Sequence, residues 1–191
     1  VLLTEMQTLT KNIAHIKDIV GLQQSYAKVA GVAEALSLQE LVQDAIHINR
    51  LAIDRNNIQI ETSGEDLLPP IMLEKQKVLQ ILVNLVKNAC EAITENPESA
   101  NTILIGIAKV EGPGVQVSVR DTGNGISSDN LTRIFAHGFT TKKTGHGFGL
   151  HTGALAATEM GGSLTASSPG EGQGATFILE MPLVFAGDTH A

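Results

Sequence analysis

The stretch Asp121–His151 restricts most strongly what this chain can fold into. It opens on Asp121-Thr-Gly-Asn-Gly-Ile126, crosses a short acidic and polar turn, and continues through Ile134-Phe-Ala-His-Gly-Phe-Thr-Thr-Lys142 to Gly145-His-Gly-Phe-Gly-Leu-His151. Six of the chain's 19 glycines and three of its five phenylalanines fall here. A packed helix or strand cannot hold glycine at that density, because glycine costs conformational entropy wherever its freedom is not used. It is useful where backbone turns tightly or approaches something closely. Two glycine clusters flanking a Thr/Lys-rich linker fit a loop that folds over a phosphate-bearing ligand.

The rest of the composition sets bounds. At 191 residues the chain holds one ordinary domain and an appendage. It contains no Trp, one Tyr and one Cys, Cys90, and its formal charge is −7. A single cysteine excludes an internal disulfide and disfavours a cysteine-built metal site. The negative balance argues against non-specific nucleic-acid binding. No apolar run approaches the ~18 residues of a membrane span, and no signal peptide is expected. A soluble, cytoplasmic fragment is expected. Its start at Val1 suggests a longer parent, and anchoring of that parent in an inner membrane stays open.

Taken in order, Leu2, Met6, Leu9, Ile13, Ile16 and Val20 recur at alternating steps of four and three. This heptad seam runs on through Gln23, Ala27 and Ala30, and predicts a long helix with a partner helix. Residues 31–37 read as a hinge. Ser37 with Glu40 forms a capping box that opens a helix over Leu38–Asp54. A strand follows at Ile58–Thr62, a turn at Pro69-Pro70, and a brief extended piece at Ile71–Leu73. Glu74–Thr94 reads as an apolar helix interrupted by Asn84 and Asn88, which share one face. Stacked amides beside an apolar stripe suggest a shared polar task, although capping of neighbouring backbone is the plain alternative. Thr102–Val110 and Val115–Arg120 form a hairpin with one buried and one wet face, which predicts helices on one side of the sheet only. A helix over Gly147–Met160 and strands at Ser163–Ser168 and Ala175–Met181 complete an α+β, two-layer sandwich.

The chemistry of an ATP site fits these residues. Asp121, at a strand end, supplies an acceptor for the adenine amine, and Gly123 and Gly125 let backbone approach the ring. Gly145, Gly147 and Gly149 lead into a helix N-terminus, where backbone amides suit phosphates. Magnesium takes a few oxygen ligands and keeps most of its waters, and the Asn84 and Asn88 amide oxygens are suitable. The Walker pattern is absent, since no Gly-Lys pair occurs. Gly145-His-Gly-Phe-Gly149 follows a loop, unlike a dinucleotide fingerprint.

The order Asn84-Leu-Val-Lys-Asn88-Ala, Asp121-x-Gly123-x-Gly125, Phe135-x-x-Gly138-Phe139-Thr-Thr-Lys142, Gly145-x-Gly147-x-Gly149-Leu150 resembles the N, G1, F and G2 boxes of the sensor histidine kinase ATP-binding domain. That family lies within the superfamily of gyrase B, Hsp90 and MutL. The resemblance implies a Bergerat-type mixed sheet over residues 36–185, preceded by the second helix of a dimerisation and phosphotransfer hairpin over residues 1–31. It implies that Asp121 bonds the adenine amine, with Ile126 and Thr176 beside the adenine, and that Asn88 with Asn84 holds Mg²⁺. Residues from Phe135 to His146, with Phe139, Thr140 and Thr141, would form a lid, and Lys142 would lie near the terminal phosphate. Gly145, His146, Gly147, Phe148, Gly149 and Leu150 would line the phosphates. Implied partners are a second copy of the chain and the receiver domain of a response regulator.

Hydrolysing members of the superfamily carry Glu where this chain has Asn84. An amide cannot take a proton from water, so slow hydrolysis and transfer to a side chain are expected. Glu91 is not the natural substitute, and the role of this carboxylate is open. His15 lacks the adjacent acid and the nearby Pro of the family's phosphoacceptor, so the acceptor is expected upstream of Val1. The alternatives are a nucleotide-gated module without turnover, and a gyrase-like or Hsp90-like ATPase, which Asn84 disfavours.

Overall fold

The computed structural model describes residues 33–64, 68–96, 100–142, 145 and 147–183. The expected helix over Leu2–Ala30, His15 and His146 lie outside the described residues.

The segment expected to be a hinge contains a strand, β1 (Glu34–Leu36), and Ser37 caps the next helix, α1 (Leu38–Ile48). The Ser37 hydroxyl accepts from the Glu40 N–H at 3.4 Å. The helix expected to run to Asp54 stops six residues earlier, and a short α2 (Arg50–Arg55) follows Asn49. Asn49 is the reason. Its side-chain amide donates to the Ala45 carbonyl at 2.9 Å and to the Val83 carbonyl at 3.2 Å. A short polar side chain that bonds nearby carbonyls competes with the helical ladder. Asn49 is buried, whereas Ile48 and Leu51 on either side are exposed.

Strand β2 (Gln59–Gly64) is followed by β3 (Ile71–Leu73), which pairs antiparallel with β1, Ala35 opposite Met72. The long helix α3 (Lys75–Thr94) buries Val78, Ile81, Leu82, Leu85, Val86, Ala89, Cys90 and Ile93. Steps of three and four place them on one side of the helix. Each large aliphatic side chain removed from water contributes about 1.5–3 kcal/mol. Burial also pushes the Cys90 thiol up to about 11, so it stays protonated.

Strands β4 (Thr102–Val110) and β5 (Gly114–Asp121) form the expected hairpin. A single turn, α4 (Ser128–Leu131), precedes α5 (Gly149–Glu159), β6 (Ser163–Ser167) and β7 (Thr176–Pro182). The five-stranded sheet has the order β2-β4-β5-β7-β6. Only β2 and β4 are parallel, so the sheet is mixed. Ile103, Ile105 and Ile107 of β4 and Val115, Val117 and Val119 of β5 are buried beneath the helices, while Leu104 and Arg120 face outward. α3 lies between α1 and α5 and packs on β4 and β5. The architecture is the expected two-layer sandwich. No helix among the described residues is long and apolar enough to cross a membrane.

Candidate functional site

The site is built along the side of α3 that the sheet does not use. Asn84, Asn88 and Glu91 follow at steps of four and three and are half-buried. The helical rise separates the two asparagines by about 6 Å along the axis.

Asp121 ends β5, inside the sheet, and is 2% exposed. Among the described residues it is one of two buried polar side chains, the other being Asn49. Its Oδ1 accepts from the Gly123 N–H at 2.8 Å. Burial raises its carboxyl above the ordinary value, and the N–H bonds it receives and the Lys142 ammonium oppose that shift. Gly123 answers to a demand not foreseen in the sequence. A Cβ there would lie 2.4 Å from the Ala92 carbonyl carbon and 2.6 Å from the Ile93 nitrogen. What Gly123 admits is therefore the backbone of α3, and Asn124 N–H donates to the Ala92 carbonyl at 3.0 Å across the same seam. Gly125 likewise packs on the loop before β7, where a Cβ would meet the Gly170 oxygen at 2.1 Å.

That loop is knitted to the first glycine cluster. Ser168 Oγ donates to the Gly174 carbonyl at 2.6 Å and accepts from the Ile126 N–H at 3.0 Å. Gly174 N–H donates to the Gly123 carbonyl, and Asp121 N–H donates to the Ala175 carbonyl. Ile126 and Thr176 are thereby brought to the Asp121 end of the sheet, Thr176 opposite Arg120.

The second cluster approaches α3 from the other side. A Cβ on Gly149 would lie 2.3 Å from the Asn84 Oδ1, so a larger residue at the start of α5 would push that amide aside. Gly147 sits against the backbone of Gly138 and Phe139. Phe139 lies under the Arg133 guanidinium at 4.7 Å, and Phe148 meets the His137 ring at 4.9 Å. His151 contacts the Phe135 carbonyl through Nδ1 at 3.0 Å and His137 edge-on at 5.1 Å. Nothing in the sequence pattern singled out Arg133 or His137. Leu150 packs against the core. Thr140 Oγ1 accepts from Lys142 N–H at 3.1 Å, and Thr141 is exposed.

Lys142 closes the arrangement. Its Nζ donates to the Asn88 Oδ1 at 3.0 Å and pairs with the Glu91 carboxylate. Glu91, whose role the sequence left open, is thus a direct partner of the loop lysine. Among the described residues no three His, Cys, Asp or Glu side chains gather as a metal site. The Asn88 amide oxygen already accepts from a cationic group, so its chemistry suits Mg²⁺, which would draw its further ligands from phosphate and water.

Fold and site together define a nucleotide-binding domain: a mixed sheet under one helical layer, a buried carboxylate at a strand end, and glycine-rich turns on either side of the helix that carries Asn84 and Asn88. Over residues 74–184 the chain matches the family described as histidine kinase-, DNA gyrase B-, and HSP90-like ATPase. It is 31% identical over 178 residues to the sensor histidine kinase ZraS of Escherichia coli (strain K12), covering 93% of this chain and 37% of that protein. Full-length ShkA, solved in complex with AMPPNP, matches with a TM-score of 0.72 at 26% identity, over 84% of this chain and 33% of that one. The catalytic domain of histidine kinase ThkA matches with a TM-score of 0.69 at 26% identity, over 80% of this chain and 96% of that one. The chain belongs to this ATPase family, and within it is similar to the ATP-binding catalytic portion of sensor histidine kinases. It spans little more than a third of the length of ZraS.

Proposed function

We propose that this domain binds ATP with Mg²⁺ and transfers the γ-phosphate to a histidine, other than His15, on a dimerisation helix. Asp121 accepts from the adenine amine, with Ile126 and Thr176 beside the ring. Asn88, with Asn84, holds the magnesium ion, which when bound offsets phosphate charge and fixes the triphosphate. Lys142 and the backbone amides of Gly145, Gly147 and Gly149 bind phosphate oxygens, and the N-terminus of α5 adds its partial positive charge. Phe148 and Leu150 line the same end. Asn84 cannot act as a base towards water, so the phosphate is preserved for the acceptor.

The observation that carries this reading is the buried carboxylate of Asp121. A carboxylate in a desolvated place is costly to the fold, and a perturbed one at the rim of a site marks a functional group. ShkA, which has a similar fold, is solved in complex with AMPPNP. The chain would act as a homodimer through its first helix, on the cytoplasmic side where ATP is supplied, and pass its phosphate to a response regulator receiver domain.

Calorimetry with Mg-ADP and Mg-ATP tests the binding step. Uptake is expected, with loss in Asp121→Ala and in Asn88→Ala. Mixing the chain with an isolated acceptor domain and [γ-³²P]ATP is then expected to give an acid-labile phosphohistidine. Folded protein that takes up no adenine nucleotide in magnesium would overturn the proposal.

A further inference from the structure

Lys142 occupies the atom that a magnesium ion would need. Its ammonium donates to the Asn88 Oδ1 at 3.0 Å, and Glu91 holds it there from the next turn of α3. The lysine is not a loose side chain that happens to reach the helix. Its N–H is tied to Thr140 Oγ1, and its carbonyl accepts from the Gly145 N–H at 3.3 Å. Glu91 has a second cation in reach, Lys87 Nζ at 3.9 Å, one helical turn back. One carboxylate therefore stands between two ammonium groups, and Lys142 is also within electrostatic reach of Asp121.

We propose that Glu91 is a positioning residue that parks Lys142 on Asn88 in the absence of nucleotide and releases it when Mg-nucleotide enters. The inference rests on the reading of Asn88 as a magnesium ligand. An ammonium and Mg²⁺ on the same Asn88 oxygen would repel each other at close range, so metal entry displaces Lys142. The displaced lysine lies beside the incoming phosphates and pairs with them, while Lys87 remains to neutralise Glu91. Glu91 thus sets the magnesium concentration at which the site fills. It touches neither nucleotide nor metal. Because the pair is partly exposed, a modest effect is expected.

The test is Mg-ADP binding by the full 191-residue chain, titrated in ADP and separately in Mg²⁺. E91Q should bind Mg-ADP about two- to fivefold more tightly and reach half-saturation at correspondingly less Mg²⁺. In Lys142→Met, which removes the parked ammonium together with a phosphate partner, adding E91Q should change nothing further. A purely structural role for Glu91 would shift the melting temperature and leave the magnesium requirement alone. An unchanged requirement in E91Q overturns the inference. So does weaker binding of equal size with and without Lys142, which would make Glu91 a direct metal ligand. If E91Q does not fold, Glu91→Ala is titrated in the same way, and an unchanged magnesium requirement there overturns the inference. Should the unaltered chain bind no nucleotide, the reading of the site itself fails. Should Asn88→Ala lose binding while E91Q behaves as the unaltered chain, only the role of Glu91 fails.

Discussion

Gly123 offers the sharpest test of how this site is built. Seen from the sequence, its small size admits a ligand; seen in the fold, it admits a helix. In Gly123→Ala the new methyl would sit 2.4 Å from the Ala92 carbonyl carbon. An ordinary carbon contact is about 3.5 Å, so strand end and helix must separate by about 1 Å. Neither side yields readily. Gly123 is buried beside β5, and α3 is fixed by its apolar face over its whole length. Overpacking of this kind costs about 1–3 kcal/mol. Two hydrogen bonds cross the seam, Asn124 N–H to the Ala92 carbonyl and Asn96 Nδ2 to the Gly123 carbonyl. Stretching them adds about 1 kcal/mol. The sum, about 3 kcal/mol, corresponds to a melting temperature lower by about 6–12 °C in a domain of this size.

Gly138 is the control. It has a φ of +74°, and nothing lies within 4 Å of a Cβ placed there. Gly138→Ala carries only the left-handed backbone penalty, about 1 kcal/mol, and should lower the melting temperature by about 2–4 °C. Calorimetric melting of both variants without nucleotide decides the matter. If Gly123→Ala melts with the unaltered protein and is impaired only in nucleotide uptake, the glycine serves the ligand and the packing account is wrong.

Two further outcomes follow from buried polar groups. Burial raises the Asp121 carboxyl in the folded state, so the desolvation cost is fully borne only above that raised value and disappears below the ordinary one. Asp121→Asn keeps an oxygen for the Gly123 N–H, and should therefore melt higher than the unaltered protein at neutral pH while losing nucleotide binding. The gain should shrink as the pH falls through the carboxylate range, and a melting difference independent of pH would refute it. Asn49→Ala removes both amide bonds to Ala45 and Val83, and should cost about 1–2 kcal/mol by denaturant titration, against no loss if the amide is incidental.

How much of this was legible before the fold depends on how local the cause is. The α3 face and the hairpin follow from periodicity and local chemistry, and they stand where expected. The break at Asn49 was hidden because one of the amide's two partners, the Val83 carbonyl, lies 34 residues away. Strand β1 was hidden because three residues carry no alternation to read, and it becomes a strand only through β3. The Glu91–Lys142 pair joins positions 51 apart, so Glu91 showed only as an unexplained carboxylate.

The glycines teach a related lesson about inferring chemistry from composition. Gly123 and Gly149 both stand against α3, one on its Ala92–Ile93 backbone and the other on the Asn84 amide. Gly123 therefore sets the distance at which the Asp121 strand end lies from α3, whereas the Asn84 side chain beside Gly149 can turn. A site whose geometry is fixed by close backbone approach has little freedom to adapt on that side, because packed elements transmit displacement instead of absorbing it. The Lys142 side is different. What joins it to α3 there is one hydrogen bond and one partly exposed ion pair, interactions that a metal and a phosphate can replace in kind. Ligand-driven rearrangement should accordingly concentrate around Lys142, with Asp121 and the backbone of α3 serving as the fixed frame against which it moves.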